Sequence, residues 1–363
     1  MTGFGIYVHV PFCTHRCDYC AFATWTDRHG LMERYAAACR RESLSARLPA
    51  AGSVFFGGGT PSLLPGELLV SILDAIALGV GAEVTVECNP ETVTPDLLAQ
   101  YRRGGVNRLS FGVQSMAPHV LAALGRRHDP ASVARAMGWA REAGFASVNL
   151  DLIFGAAAES VSDWGATLEA ALALGPDHVS AYALTVEPGT PLALDTARWP
   201  DDDDQADKYL LADQVLASAG LSWYEVSNWS LPGHECRHNQ LYWSQGDYRG
   251  LGCAAHSHEH GRRWWNVRTP ERYLNQVEAG LSPVGGEETL TPEAGRMEAL
   301  QLALRTRAGV PAAALPESDL LEDLVWCRDG RIGLTVRGRL LANQVATRLV
   351  ALAPAASNLG AFS

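Results

Sequence analysis

Six short runs rich in β-branched and aromatic residues recur through the first two-thirds of the chain, separated by stretches with helical spacing, and this alternation is what most restricts the fold. The runs are Ile6 to Phe12, Ser53 to Gly58, Glu83 to Asn89, Arg108 to Gln114, Ser147 to Phe154 and His178 to Val186. Between them lie segments such as Asp27 to Leu48, Pro130 to Ala143 and Ser160 to Leu174, in which apolar residues return every three or four positions. The pattern is that of a parallel sheet wrapped by helices. Six units exceed a minimal doubly wound domain and fall short of the eight of a closed barrel. The expected fold is therefore α/β, an open, partial (β/α)6 TIM-like barrel with its ligands at the C-terminal strand ends.

The barrel part is expected over residues 1–220. Asp201 to Asp204 reads as the solvated first turn of a helix, where the macrodipole favours acids, rather than as a metal site. From about Leu221 the alternation gives way to a Trp-, His- and Gly-rich extension, 221–290. Residues 291–353 read as a small winged-helix-like domain: short helices after Glu293, a hairpin over Leu324 to Leu334 and a final helix from Arg337 to Leu352. The Ala- and Ser-rich end, 354–363, is expected to be disordered.

At 363 residues, 47% hydrophobic and 19% charged, the chain has ample material for a globular core. A net charge of −11 and no long Lys/Arg run argue against nucleic acid as a partner, because phosphate neutralisation dominates that affinity. No apolar stretch is long enough for a membrane span, and the N-terminus lacks a signal-peptide layout. The expected compartment is the cytoplasm.

Three of the eight cysteines crowd into Cys13-Thr-His-Arg-Cys17-Asp-Tyr-Cys20, directly after the first strand. Three thiolates from one short loop can ligate three irons of a [4Fe–4S] cubane and leave the fourth iron open. Structural zinc wants four protein ligands, so it competes only if His9 or His15 completes the set. Cys39, Cys88, Cys236, Cys253 and Cys327 are scattered and read as buried free thiols.

The segment from Tyr7 through Phe22, Tyr-Val-His-Val-Pro-Phe-Cys onward, resembles the cluster loop of the radical S-adenosylmethionine superfamily, in the branch of oxygen-independent coproporphyrinogen III oxidase. In that superfamily S-adenosylmethionine chelates the open iron, and its reduction yields a 5′-deoxyadenosyl radical. The resemblance continues through Phe55-Phe-Gly-Gly58-Gly59-Thr60-Pro61, Val86-Glu87-Cys-Asn-Pro, Ser110-Phe-Gly-Val-Gln114-Ser and Asn149-Leu-Asp151. It implies that Tyr7, Tyr19, Gly58, Gly59, Thr60, Glu87, Gln114, Arg126, Asp151 and Ala183 contact S-adenosylmethionine, with Tyr19 packing on the adenine and Tyr182 beside Ala183 on the adenine-side wall. Glycines allow close backbone approach to such a ligand, although a plain tight turn would also use them. Asp151 could instead be a satisfied structural acceptor.

Two departures point away from the decarboxylase. It carries a cysteine two positions beyond the last ligand, where this chain has Phe22, and a longer N-terminal extension, where only six residues precede Tyr7. Both features are similar to HemW-type heme chaperones. So is the box Cys236-Arg-His238-Asn239-Gln-Leu-Tyr242-Trp243, in which imidazole can ligate heme iron and the aromatics can pack on porphyrin. His238 and Trp243 as core residues are the plain alternative. His256, His258 and His260 alternate, but the latter two are expected on a loop, without a metal.

The resemblance thus implies a heme chaperone that binds a [4Fe–4S] cluster, S-adenosylmethionine and heme and passes heme to acceptor proteins, with no catalytic residue assigned. The alternative is an oxidase that decarboxylates coproporphyrinogen III. Whether the chain is an enzyme at all, whether it dimerises, and whether it visits a membrane face to meet its acceptor are left open by the sequence.

Overall fold

The computed structural model describes residues 3–315, 321 and 323–352, so the Ala- and Ser-rich end expected to be disordered lies outside the described residues. Strands form where the alternation places them: β1 (Gly5–Val10), β2 (Ala51–Gly58), β3 (Leu78–Cys88), β4 (Arg108–Gln114), β5 (Ser147–Phe154) and β6 (His178–Ala183). They lie side by side in chain order, each parallel to the next. β3 begins ahead of the expected Glu83, and β6 stops short of Val186. The crossovers carry α1 (Met32–Ala46), α2 (Gly66–Leu73), α3 (Pro95–Arg103), α4 (Pro118–Ala123), α5 (Pro130–Glu142) and α6 (Val161–Ala173). Their starts are written locally: Thr94 and Asp129 cap a helix that opens on proline, and Ser160 with Asp163 forms a reciprocal capping box. In α7 (Asp202–Ser218) the acidic run is the first turn, with Asp201 accepting from the Asp204 N–H.

Successive strand side chains point to opposite faces. One face, with Ile6, Val8, Val54, Phe56, Val84, Val86, Leu109, Phe111, Val148, Leu150 and Val179, is fully buried in a single apolar core under the helices. The other face is polar and looks inward. Tyr7, Phe55, Glu87, Arg108, Asp151 and Tyr182, one from each of six consecutive strands, line one small cavity, which requires the sheet to curl into a partial barrel.

The extension after Leu221 enlarges this same sheet at both edges. β7 (Ser222–Glu225) and β8 (Asn228–Ser230) add antiparallel beyond β6. After α8 (Arg237–Trp243), the chain returns to the opposite edge, where β9 (Tyr248–Leu251) runs parallel to β1 and β10 (His256–Glu259), β11 (Arg262–Asn266) and β12 (Val284–Thr289) follow antiparallel, twelve strands in all. α9 (Pro270–Glu278) packs on α1, with the Tyr273 hydroxyl donating to Glu42 at 2.6 Å. α8 plugs the lumen: Glu83 accepts from the backbone N–H of Arg237 and of His238, and a Cβ on Gly5 would sit 2.4 Å from Leu241.

The C-terminal part comprises α10 (Pro292–Leu304), the antiparallel strands β13 (Val310–Pro311), β14 (Val325–Arg328) and β15 (Arg331–Leu334), then α11 (Val336–Leu340) and α12 (Ala342–Leu352). It has a separate apolar core that includes Leu300, Leu304, Val310, Ile332, Leu334 and Val345. The single final helix expected from Arg337 is two helices, because Leu341 leaves the helical region at φ −105°, ψ 22°. Arg339 docks this part on the barrel: it is paired bidentately with Asp213 at 2.8 and 2.9 Å and stacked 4.3 Å over Trp223. Among the described residues no helix is long and apolar enough to cross a membrane.

Candidate functional site

The cysteine loop leaves β1 and is closed at its base: Trp25 donates to Pro11 O at 2.8 Å, and the Cys13 N–H returns to Trp25 O at 3.1 Å. The turn after β2 holds it from the side, with Gly59 N to Val10 O and Thr60 N to Phe12 O at 2.8 Å each. A Cβ on Gly59 would meet both carbonyls at 2.7 Å, so only glycine allows this approach. Cys13, Cys17 and Cys20 all face a cavity of about 630 Å³. Burial raises the thiol pKa of Cys13 and Cys20, while the Thr60 hydroxyl, 3.6 Å from Cys13 Sγ, favours the thiolate. Arg126 Nη1 lies 3.8 Å from Cys17 Sγ. This is a donor set suited to a cubane, three thiols on one loop with cationic and hydroxyl donors beside them. A single zinc ion would need a fourth ligand beside these thiols, and His15, which lines the same cavity, has Nε2 4.0 Å from Cys17 Sγ. His9 is committed elsewhere, to Tyr7 OH at 3.2 Å and Ala23 O at 2.9 Å.

The same cavity collects Tyr19, Gly58, Gly59, Thr60, Glu87, Gln114, Arg126, Asp151 and Ala183; Tyr7 lines the adjoining small cavity instead. Gly58 takes φ 105°, and its N–H donates to Glu87 Oε2 at 3.2 Å. Burial first, then the neighbouring Asp151, pushes the Glu87 carboxyl up to about 8. Gln114, at a register shift between β4 and β5, sits in the left-handed region at φ 66°. Strain of that kind in a non-glycine residue is concentrated at ligand sites. Arg126 donates from Nη2 to Gly112 O at 2.8 Å and to Asn89 Oδ1 at 3.1 Å, and its buried Nε has no acceptor among the described residues. Asp151 accepts from Ser110 Oγ at 2.7 Å and from Asn149 Nδ2 at 2.8 Å while still lining both cavities.

The His-Asn-x-x-Tyr-Trp box forms α8. His238 is 1% exposed, with Nδ1 2.9 Å from Ser53 Oγ and Nε2 2.9 Å from Tyr242 OH. Both ring nitrogens are occupied, and burial pushes the imidazole down to about 3. His238, Asn239 and Tyr242 line the small cavity, of about 220 Å³. Asn239, Tyr242 and Trp243 line a larger cleft of about 1180 Å³, whose far wall carries Arg305, Arg337 and Arg339. His258, expected on a loop, lies in β10 with Nδ1 3.0 Å from Gly246 O, because its alternation with His256 is a true strand period. His256 stacks on Trp265, while His258 and His260 both face Asp247, at 3.8 and 3.2 Å.

Sequence reasoning missed the inward row Arg108, Ser110, Asn149, His178 and Ser180. His178 bonds Asn149 Oδ1 at 2.6 Å and Tyr224 OH at 2.8 Å, and Asn149 Nδ2 reaches Ser110 and Ser180 at 2.7 and 3.0 Å. The signal was the strict alternation inside runs such as Arg108-Leu-Ser-Phe, which marks a half-polar strand rather than one buried in apolar material on both faces.

Residues 7–171 match the model of the radical SAM superfamily. The heme chaperone HemW of Mycobacterium tuberculosis is 44% identical, over 96% of this chain and 95% of its own length. That of Bacillus subtilis is 31% identical over 93% and 97% of the two chains. The coproporphyrinogen III oxidase HemN of Escherichia coli superposes with a TM-score of 0.82 at 22% identity, covering 96% of this chain and 90% of that one, a likeness of fold. The chain belongs to the HemW heme chaperone family within the radical SAM superfamily.

Proposed function

We propose that the chain is a heme chaperone that holds a [4Fe–4S] cluster on Cys13, Cys17 and Cys20, S-adenosylmethionine in the cavity beside it, and heme in the large cleft, from which heme passes to acceptor proteins. When bound, the cluster supplies an open iron for the amino acid end of S-adenosylmethionine. The chain's own residues would then position that molecule, with Arg126 near its carboxylate, Glu87 and Asp151 near hydroxyl donors, and Tyr19 against the adenine. The division of labour assigns the cofactor to residues 1–220 and heme to the cleft walls from 221–290 and 291–353. On α8, Tyr242 and Trp243 supply aromatic surface for a porphyrin, while His238 orients Tyr242.

One observation carries this reading beyond the names of the relatives: Tyr182 lines all three cavities, so cofactor site, lumen and cleft share a wall. The cleft's volume, about 1180 Å³, lies just above the roughly 300–1,000 Å³ of small-molecule pockets. The test is a spectral titration of anaerobically reconstituted protein with heme, followed by transfer to an apo heme protein. Near-stoichiometric binding and transfer are expected, and a protein that binds no heme ends the proposal. The same preparation, given reductant, S-adenosylmethionine and coproporphyrinogen III, is expected to form no protoporphyrin; many equivalents of product would make it a decarboxylase.

A further inference from the structure

We infer that the small lumen cavity is a carboxylate-binding subsite built around Arg108. Arg108 opens β4 and is 3% exposed, yet its Nε and Nη2 have no acceptor among the described residues. A buried guanidinium without acceptors costs several kcal/mol on order of magnitude, and native proteins keep very few such groups. The acceptors around it are already engaged. Glu83 takes both backbone N–H groups that open α8, Asp151 takes Ser110 and Asn149, and Asn149 Oδ1 takes His178. As a guanidinium Arg108 stays protonated, and none of these groups reaches its Nε or Nη2.

Asp151 shares the cavity, but burial raises its pKa and Ser110 and Asn149 already donate to it, so the free donors that an incoming oxyanion meets are those of Arg108. Glu87, pushed up to about 8, is mostly neutral at pH 7, and burial holds His178 neutral as well. Tyr7 and Tyr242 bring phenols to the wall. A planar guanidinium with two free donors recognises a carboxylate in the fork geometry that ammonium groups cannot supply. At about 220 Å³ the cavity admits a short carboxylic acid arm and not a porphyrin macrocycle. It shares Asn239 and Tyr242 with the large cleft, and Glu87 and Asp151 with the cofactor cavity. A tetrapyrrole seated in the cleft would therefore reach Arg108 with one propionate; this identity of the carrier rests on the proposed function, whereas the carboxylate site does not. The other source of the same chemistry is a free short-chain acid.

The experiment compares protoheme IX with its dimethyl ester by Soret titration of the reconstituted wild type, Arg108→Gln and Arg108→Lys, with calorimetry of propionate alone as a separate arm. The expected result is an about ten-fold or greater loss of affinity on esterification in the wild type, the worth of one charge-assisted hydrogen bond. That discrimination disappears in Arg108→Gln and is partly retained in Arg108→Lys, and Arg108→Gln does not lower Tm, since it removes an unsatisfied cation. If Arg108→Gln fails to fold, the wild-type ester comparison and Arg108→Lys still decide the matter. Propionate binding that is lost in the Arg108 variants, with heme and ester bound alike, keeps the subsite and assigns it to a free acid. Heme and ester bound alike with no propionate binding overturns the subsite. A wild type that binds no heme refutes the chaperone reading, and the propionate arm then judges Arg108 alone.

Discussion

The imidazole of His238 is clamped between two hydroxyls, Tyr242 OH at Nε2 and Ser53 Oγ at Nδ1, each at 2.9 Å. Each ring nitrogen thus has a hydroxyl partner, and the ring braces Tyr242 against Ser53. Tyr242→Phe removes one end of the clamp and leaves a buried ring nitrogen unpaired, at a cost of about 1–3 kcal/mol of stability. Its cluster absorbance should be that of the wild type, while its heme spectrum or affinity changes. Unaltered heme titration in Tyr242→Phe and in His238→Ala would remove this pair from the heme site.

The same burial sets a pH dependence. His238 titrates at about 3 in the folded chain, against an ordinary value near 6.5. Below pH 6.5 the unfolded chain takes up a proton that the native state refuses, so stability is complete above 6.5 and falls as pH falls. The loss from this residue between pH 7.5 and 5 is about 2 kcal/mol. His238→Asn, which mimics the Nδ1 side of the ring, should be less stable than the wild type at pH 7.5, with the gap narrowing by about that amount at pH 5. Denaturant unfolding at the two pH values measures it; a gap independent of pH would show that His238 is not buried neutral.

The cluster loop depends on a close backbone approach as much as on its thiols. Gly59→Ala places a methyl 2.7 Å from Val10 O and Phe12 O and must push the loop away from the turn after β2. Cys17→Ala removes one ligand and leaves that turn intact. Both variants should lose the brown chromophore after anaerobic reconstitution, but only Gly59→Ala should lower the Tm of the apoprotein, by several degrees. A full cluster in Cys17→Ala would remove that residue from the ligand set.

The barrel was legible because outward positions such as Val8, Phe56 and Leu150 announce the strands, and apolar residues returning every three or four positions announce helices such as those over Pro130 to Ala143 and Ser160 to Leu174. The gathering of Cys13, Gly58, Glu87, Gln114 and Arg126 in one cavity follows from the rule that ligands meet at C-terminal strand ends. What escaped were features fixed by tertiary contact. Arg108 and His178 lie in runs whose apolar members dominate the pattern, and their neighbours come from other strands and from α8. The growth of the sheet at both edges depends on β9 crossing back to β1, a pairing far apart in sequence that no local spacing encodes. The break at Leu341 likewise has no proline or glycine at that position to mark it.

Gln114 tests whether backbone strain has been retained for a ligand. Its φ of 66° costs a residue with a Cβ about 1–2 kcal/mol, and glycine would adopt it freely while losing about 0.5–1 kcal/mol through unfolded-chain entropy. Gln114→Gly should therefore leave the apoprotein as stable as the wild type or more stable, by up to about 1.5 kcal/mol. Its side chain lines the cofactor cavity, so the same variant should bind S-adenosylmethionine more weakly, by about ten-fold if one or two hydrogen bonds are lost. Calorimetry of the reconstituted protein and thermal unfolding of the apoprotein give the two signs separately. A variant that loses stability without losing affinity would make Gln114 a structural residue, and the strain would then need another cause.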